Sequence, residues 1–413
     1  PNLNLGNINI TGDPTWFNTA GNVILSGPIV ATGASPNIAI LASGNIISTT
    51  GASVIDSSSG QTGGNAGEIT LVAGAAFTSG SGSGAGNTAD TLTIASPTPG
   101  SAGGGIYLDG TAPPGFSGTP STIATITSAG VGSNNNGGSI TMVAYAGTGA
   151  GSGVVRLPST LTITSGGSGT GTNGSITIIA GADSGSSVAI GGIQTSGSAS
   201  KSGNITIIAG TPTISGPASI SILGGSILGG SGSFVVNTLK GGSISVGNLL
   251  TAGSGGLAGL VDSNGAAGGN GGNVTIQAGG NITTGFIRTF GGGGGGAGAG
   301  GVEGGSGGTG GTVAITSNGS LKIHQEVNSS GGGGGASYFL PFGGAGGAAG
   351  NISLQANGQI TVTGPLLASG GGFGGKGNAG GGGGGGSFGG GGGSSGTYTL
   401  HSGAGGGGFT GGG

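Results

Sequence analysis

Gly271-Gly272-Asn273-Val274-Thr275-Ile276-Gln277-Ala278-Gly279-Gly280-Asn281-Ile282-Thr283-Thr284-Gly285 is the stretch that decides how this chain folds. Val274, Thr275 and Ile276 alternate apolar and small polar residues with period two, the mark of a half-buried strand. Ile and Val suit an inner pleated face, and Thr suits the outer one. The flanking Gly and Asn residues suit corners. After one such corner a second short strand begins at Ile282. The segment therefore reads as strand, corner, strand.

The same phrase recurs along the chain. It stands at Gly67-Glu68-Ile69-Thr70-Leu71, Gly138-Ser139-Ile140-Thr141-Met142 and Gly174-Ser175-Ile176-Thr177-Ile178. Nine starts, at Gly67, 104, 138, 174, 203, 242, 272, 311 and 350, are spaced by 29 to 39 residues, about 35 on average, a period typical of stacked repeats. Earlier relatives begin at Gly6 and Gly21. One coil of two or three short strands cannot bury its few apolar side chains. Stacked coils bury them in a continuous column. The expected fold is all-β: a right-handed parallel β-solenoid of roughly 11 coils, on the order of 50 Å long at ~4.8 Å per coil. Helix is not expected, because Gly is costly there and Glu, Lys, Gln and Arg are scarce.

Composition narrows the function. Of 413 residues, 119 are Gly, 33% are apolar and only 4% are charged, with 6 basic and 9 acidic side chains and a net charge of −3. Charges this sparse do not keep a surface wet and self-repelling, so the chain is expected to lie against something, most simply copies of itself. Ordered strand phrases exclude simple disorder. The absence of a Gly-X-Y period, with only 14 Pro, excludes collagen. There is no Cys, hence no disulfide or thiolate metal site. Lys201, Lys240, Lys322, Lys376, Arg156 and Arg288 are scattered singly, which argues against nucleic acid. No apolar run reaches the ~20 residues of a membrane helix. No signal peptide is visible at Pro1, as expected of a chain that starts after its cleavage.

Two regions emerge: 1–284, solenoid coils with short Gly-rich corners, and 285–413, where strands continue between long polyglycine tracts. Residues 291–311 and 370–396 are mostly Gly, and 331–350 is half Gly around the apolar cluster Tyr338-Phe339-Leu340-Pro341-Phe342. Flexible linkers are one reading. Matched spacing favours a second, a bundle of polyglycine-II helices with three residues per turn and ~3.1 Å rise. Phe286, Phe290, Tyr338, Phe339, Phe342, Phe373, Phe388, Tyr398 and Phe409 fall in this last third. They are candidate packing anchors between tracts or subunits, or plugs for the solenoid ends. Leu3, Leu5, Ile8 and Ile10 form a strand phrase almost at residue 1. No polar cap precedes them, and free solenoids need caps, so they are candidate assembly contacts too.

Catalysis is not expected. The nine acids, such as Asp109, Asp183 and Glu303, do not cluster, whereas a glycan hydrolase needs paired carboxylates. His324 and His401 are isolated, so no metal or other cofactor is expected. Asn-x-Ser/Thr triplets occur at Asn204, Asn273, Asn281, Asn351 and elsewhere. They read as glycosylation acceptors or, more simply, as corner residues of the repeat. Thr-x-Thr pairs, such as Thr125/Thr127 and Thr162/Thr164, raise ice binding as a minor option, although they are out of register with the main phrase.

The segments 271–285 and 350–360 resemble filamentous-haemagglutinin-type bacterial proteins. That resemblance implies an exported right-handed β-helix acting as a surface filament or adhesin, with a glycan or cell surface as ligand. Two departures, the long polyglycine inserts and the absence of a recognisable secretion domain, turn the expectation toward an extracellular self-assembling subunit. A homopolymer is the expected partner.

Overall fold

The computed structural model describes residues 1–58, 64–79, 90–197, 202–215, 219–223, 226–230, 233–301, 303–338, 340 and 343–375. Among them are strands and no helix. Three parallel sheets of ten, ten and nine strands run the length of the molecule. The chain visits them in turn, so each coil has three faces. In one coil these are Val155–Arg156 on face 1, Thr162–Thr164 on face 2 and Ile176–Ala180 on face 3. Ten coils stack this way, and parallel crossovers of this kind are right-handed. The molecule is the expected right-handed parallel β-solenoid.

On face 3 register is kept residue for residue, while face 1 shifts once, between Ser186 and Val188. On face 3, Ile69, Ile140, Ile176, Ile205 and Val274 lie one above another, all facing inward. Two residues on, Leu71, Met142, Ile178, Ile207 and Ile276 form a second inward column. The small residues Ala73, Ala144, Ala180, Ala209 and Ala278 form a third, where the chain turns toward face 1. Faces 1 and 2 send in Val155 and Ile163, and these side chains make one continuous core. Each buried aliphatic side chain stabilises by about 1.5–3 kcal/mol, and only stacking removes it from water.

Two of the nine phrase starts lie elsewhere than the others. Gly104 and Gly242 lead into face 1, at Ile106–Tyr107 and Ser243–Val246, whereas the other seven lead into face 3. Gly6 and Gly21 likewise precede face 2 and face 1 strands. All three faces of a coil need the same alternation, so the phrase does not identify its face. The even spacing hid two inserts that interrupt the coils after face 3. They contribute an antiparallel sheet of four strands, Ala76–Ser79, Asp90–Ala95, Ser219–Leu223 and Ser226–Gly230, and a hairpin of Thr211–Ser215 with Ser233–Thr238.

Those inserts form a strap over face 3. Leu41, Val72, Val143 and Ile179 are stacked in register on the outer side of that face, yet buried. Phe77, Ile94, Ile214, Phe234 and Val236 cover them. Beyond the strap the same column continues as Gln277, Thr316 and Gln355. The apolar outer column is buried where the strap covers it, whereas Phe17, at its first position, is 37% exposed.

Candidate assembly surfaces and an outer cleft

The glycine tracts are ordered by their backbones. From Thr251 onward each loop between faces 2 and 3 runs outward and returns. The N–H groups of Gly253, Gly256 and Gly259 donate to the carbonyls of Phe290, Gly293 and Gly296 in the next coil, at 2.7–2.8 Å. On the return, Ala266 and Gly269 donate to Leu257 and Ser254 of the same loop, both at 2.8 Å. Gly292 and Gly295 then donate to Gly269 and Ala266, both at 2.9 Å. The pattern advances by three residues throughout and continues through Gly332, Gly335, Gly344 and Gly347 to Gly371 and Gly374. Three residues per turn, with every bond going to a neighbour, is polyglycine-II packing. The flexible-linker reading therefore fails for the described tracts. The bundle also begins at 251, taking in a loop that by sequence sits among the solenoid corners.

The same period explains where side chains are allowed. A Cβ on Gly292, Gly295, Gly305, Gly308, Gly332 or Gly335 would fall on the backbone of an adjacent tract. Exposed side chains recur every third residue in two stretches, Asn264, Ala267 and Asn270, and Glu303, Ser306 and Thr309. Turning back needs left-handed backbone, supplied by Asp262 (φ 58°) and Gly300 (φ 84°) at the tips of two successive loops.

The loop necks are clasped from inside. After several face 2 strands a buried hydroxyl donates to the carbonyl of the Gly that opens face 3 in the same coil. These bonds are Ser165 to Gly174 at 2.8 Å, Thr195 to Gly203 at 2.7 Å, Thr251 to Gly272 at 2.7 Å, Thr289 to Gly311 at 2.8 Å and Ser329 to Gly350 at 2.9 Å. The neck is the same whether the loop closes over 8 residues or 22. Corner amides on the outer edge are held by side chains of the preceding coil. Asn204 Oδ1 accepts from Asn273 N–H at 3.0 Å, and Asn273 Oδ1 from Thr312 N–H at 2.8 Å. Asn281 Oδ1 accepts from Ser320 N–H at 2.8 Å. Asn of the Asn-x-Ser/Thr triplets thus has a structural task at these corners.

The predicted contact residues are spread over several environments. Leu5 is buried in the column, Leu3 and Ile8 are half-buried in the first coil, and Ile10 is 42% exposed. Phe286, Phe290 and Tyr338 are half-buried, and Phe373 is 72% exposed beside the last described coil. Phe339, Phe342, Phe388, Tyr398 and Phe409 lie outside the described residues. At both ends of the described column the strands have a neighbour on one side only. Trp16 is half-buried at the first coil, and Ile360 and Leu366 are exposed at the last.

Charged and hydroxyl groups are dispersed. Arg288 pairs with Glu326 at 2.6 Å, and Lys240 approaches Asp183 at 3.9 Å on the surface. Among the described residues no three His, Asp or Glu gather as a metal would require. Burial pushes the Tyr145 hydroxyl above its usual range under the strap, with Ser96 nearby but outside hydrogen-bonding geometry. Tyr107 is raised by burial as well, while Arg156 opposes the shift, and its hydroxyl donates to Gly151 O at 2.5 Å. Of the pairs Thr125/Thr127 and Thr162/Thr164, Thr127 and Thr164 lie one over the other on face 2, and the Thr164 hydroxyl donates to that of Thr127 at 3.0 Å. A longer ladder, Thr70, Thr141, Thr177, Thr206 and Thr275, arises from the main phrase on face 3.

A concavity interrupts the outer side of face 2. Its outer column descends from Thr162 to Gly192 and on to Asn248 and Phe286. Gly192 has no side chain to fill its place, and a cleft of about 320 Å³ opens there. Ser159, Thr162, Gln194, Asn248, Leu250 and Phe286 line it. The guanidinium of Arg288 lies 4.2 Å from the Phe286 ring centroid. Sequence reading missed this cleft because its residues come from four separate coils, and Gly is uninformative in so Gly-rich a chain.

No protein-family model, curated protein or solved structure matches the sequence. The likeness to filamentous-haemagglutinin-type proteins therefore rests on repeat residues alone. The fold itself defines the class: a three-faced parallel β-solenoid that carries a strap over one face and a polyglycine-II bundle on its looped side.

Proposed function

We propose that this protein is the structural subunit of an extracellular filament, sheath or surface layer, assembled by stacking solenoid ends. The observation that carries this reading is the match between the first and the last described coils. Leu3–Leu5 and Ile8–Thr11 at one end, and Ile360–Val362 and Leu366–Leu367 at the other, belong to the same two sheets. Their columns carry aliphatic side chains in matching positions, so one end can continue the column of the other. Such a contact is head-to-tail and does not close, which gives a filament. Low charge removes the repulsion that would keep copies apart. The bundle fits the role because dense backbone bonding offsets the entropy lost by ordering Gly. No catalytic role is proposed.

Negative-stain microscopy of the purified chain tests the reading. Unbranched filaments are expected, and dispersed monomers at high concentration would sink it. A surface adhesin is the second reading, favoured by one observation only, the face 2 cleft.

A further inference from the structure

We propose that the face 2 cleft binds one neutral sugar ring. This deepens the adhesin reading and is independent of end stacking, since the cleft lies on the side of the column. The chemistry of the lining carries the argument. An aromatic ring stacks on the C–H face of a sugar, and Phe286 supplies that ring at the lower end. Arg288 lies over one of its faces, and the ring also lines the cleft. Adjacent sugar hydroxyls both donate and accept, and side-chain amides do the same. Gln194 and Asn248 supply the amides. The Asn248 Oδ1 already accepts from Phe286 N–H at 3.2 Å, which fixes its orientation and directs its NH₂ group to other partners. Gln194 Nε2 has only a long contact, 3.5 Å, to Ser196 O. Ser159 and Thr162 add hydroxyls at the upper end.

Charge and size narrow the ligand. No ionisable side chain lines the cleft, and the nearest cation, Arg288, is neutralised by Glu326 at 2.6 Å. An anionic sugar would find no counter-charge. A volume of about 320 Å³ is at the small end of ligand sites, which run from ~300 to 1,000 Å³. It suits one ring rather than a buried chain. Thr162, Gln194 and Leu250 sit on strands, and Asn248 and Phe286 each directly precede one, all held in register with their neighbours, so the groups are preorganised.

Saturation-transfer NMR tests this with the full-length protein. The probes are the methyl glycosides of glucose, galactose, mannose and N-acetylglucosamine, with cellobiose, lactose and maltose, and 3′-sialyllactose and glucuronic acid as charged probes. Transfer to at least one neutral probe is expected, with millimolar affinity typical of so small a ligand. Gly192→Thr continues the Thr162 column and fills the cleft. Its Cβ would meet Thr162 Oγ1 at 2.9 Å, a side-chain atom able to rotate away. This variant should lose at least about tenfold in affinity while still forming filaments, and Phe286→Ala should lose a similar factor. If Phe286→Ala fails to fold, Gly192→Thr decides alone. No transfer to any neutral probe, transfer to charged probes only, or unchanged binding by Gly192→Thr would each overturn the proposal.

Discussion

Gly308→Ala adds a single methyl group at the centre of the polyglycine bundle. Gly308 donates to Gly292 O at 2.8 Å, Gly292 donates to Gly269 O at 2.9 Å, and Gly269 donates to Ser254 O at 2.8 Å. A Cβ on Gly308 would fall on the carbonyl of Gly269. The tract would have to give way by more than about 1 Å to restore ordinary separation. That shift strains three bonds worth about 1 kcal/mol each. Fewer unfolded conformations return about 0.4–1 kcal/mol. The net loss is about 2–3 kcal/mol, felt by the tracts above and below. Hydrogen exchange read by mass spectrometry reports it locally: amides of 253–272 and 289–311 should exchange about 100-fold faster, at about 1.4 kcal/mol per tenfold. Ser306→Ala, on the exposed edge of the same tract, should change exchange by less than about threefold. Equal exchange in the two variants would refute period-three packing and return the tracts to the status of linkers.

Three further outcomes follow from the same structure. Thr289→Val removes the neck hydroxyl that reaches Gly311 O at 2.8 Å; urea unfolding should show a loss of about 1–2 kcal/mol, with Thr289→Ser close to wild type. Val143→Gln, under the strap, should lower stability by about 2–3 kcal/mol in thermal melts through an unsatisfied buried amide, while Gln355→Val on the same outer column past the strap should stay within about 0.5 kcal/mol. Tyr145 resists ionisation in the fold because burial raises its pKa. The unfolded chain releases that proton first, near 10.0, so stability is complete below pH 10 and falls as pH rises further, by up to about 1.4 kcal/mol per unit. Denaturation at pH 9 and pH 11 should show that fall, reduced in Tyr145→Phe.

The solenoid was legible because its determinants are local. Alternation around Ile69, Ile140 or Val274 states which side chains face inward, and glycine corners state where the chain turns. What stayed hidden depends on which coil lies beside which. Gly104 and Gly242 open phrases like the rest, yet they lead to face 1, because every face of a coil asks for the same alternation. The strap had a signal that was overlooked. Val72, Val143 and Ile179 are apolar where Gln277 and Gln355 stand in later coils, and a run of outward apolar residues points to a cover. The neck hydroxyls, Ser165, Thr195, Thr251 and Thr289, also recur after the face 2 strand. They look like ordinary corner residues until each is seen pointing inward at a glycine carbonyl. The period of three in Glu303, Ser306 and Thr309 was readable too, and it marks the exposed edge of the bundle.

End-to-end stacking predicts a length. Ten coils at ~4.8 Å give an axial subunit repeat of about 50 Å, with the strands themselves perpendicular to the filament axis. Electron diffraction or helical reconstruction of assembled filaments measures both quantities. A strong ~4.8 Å axial reflection together with a subunit repeat near 50 Å would agree with coil stacked on coil across the junction. Filaments whose strands run along the axis, or preparations that hold only separate particles, would contradict it.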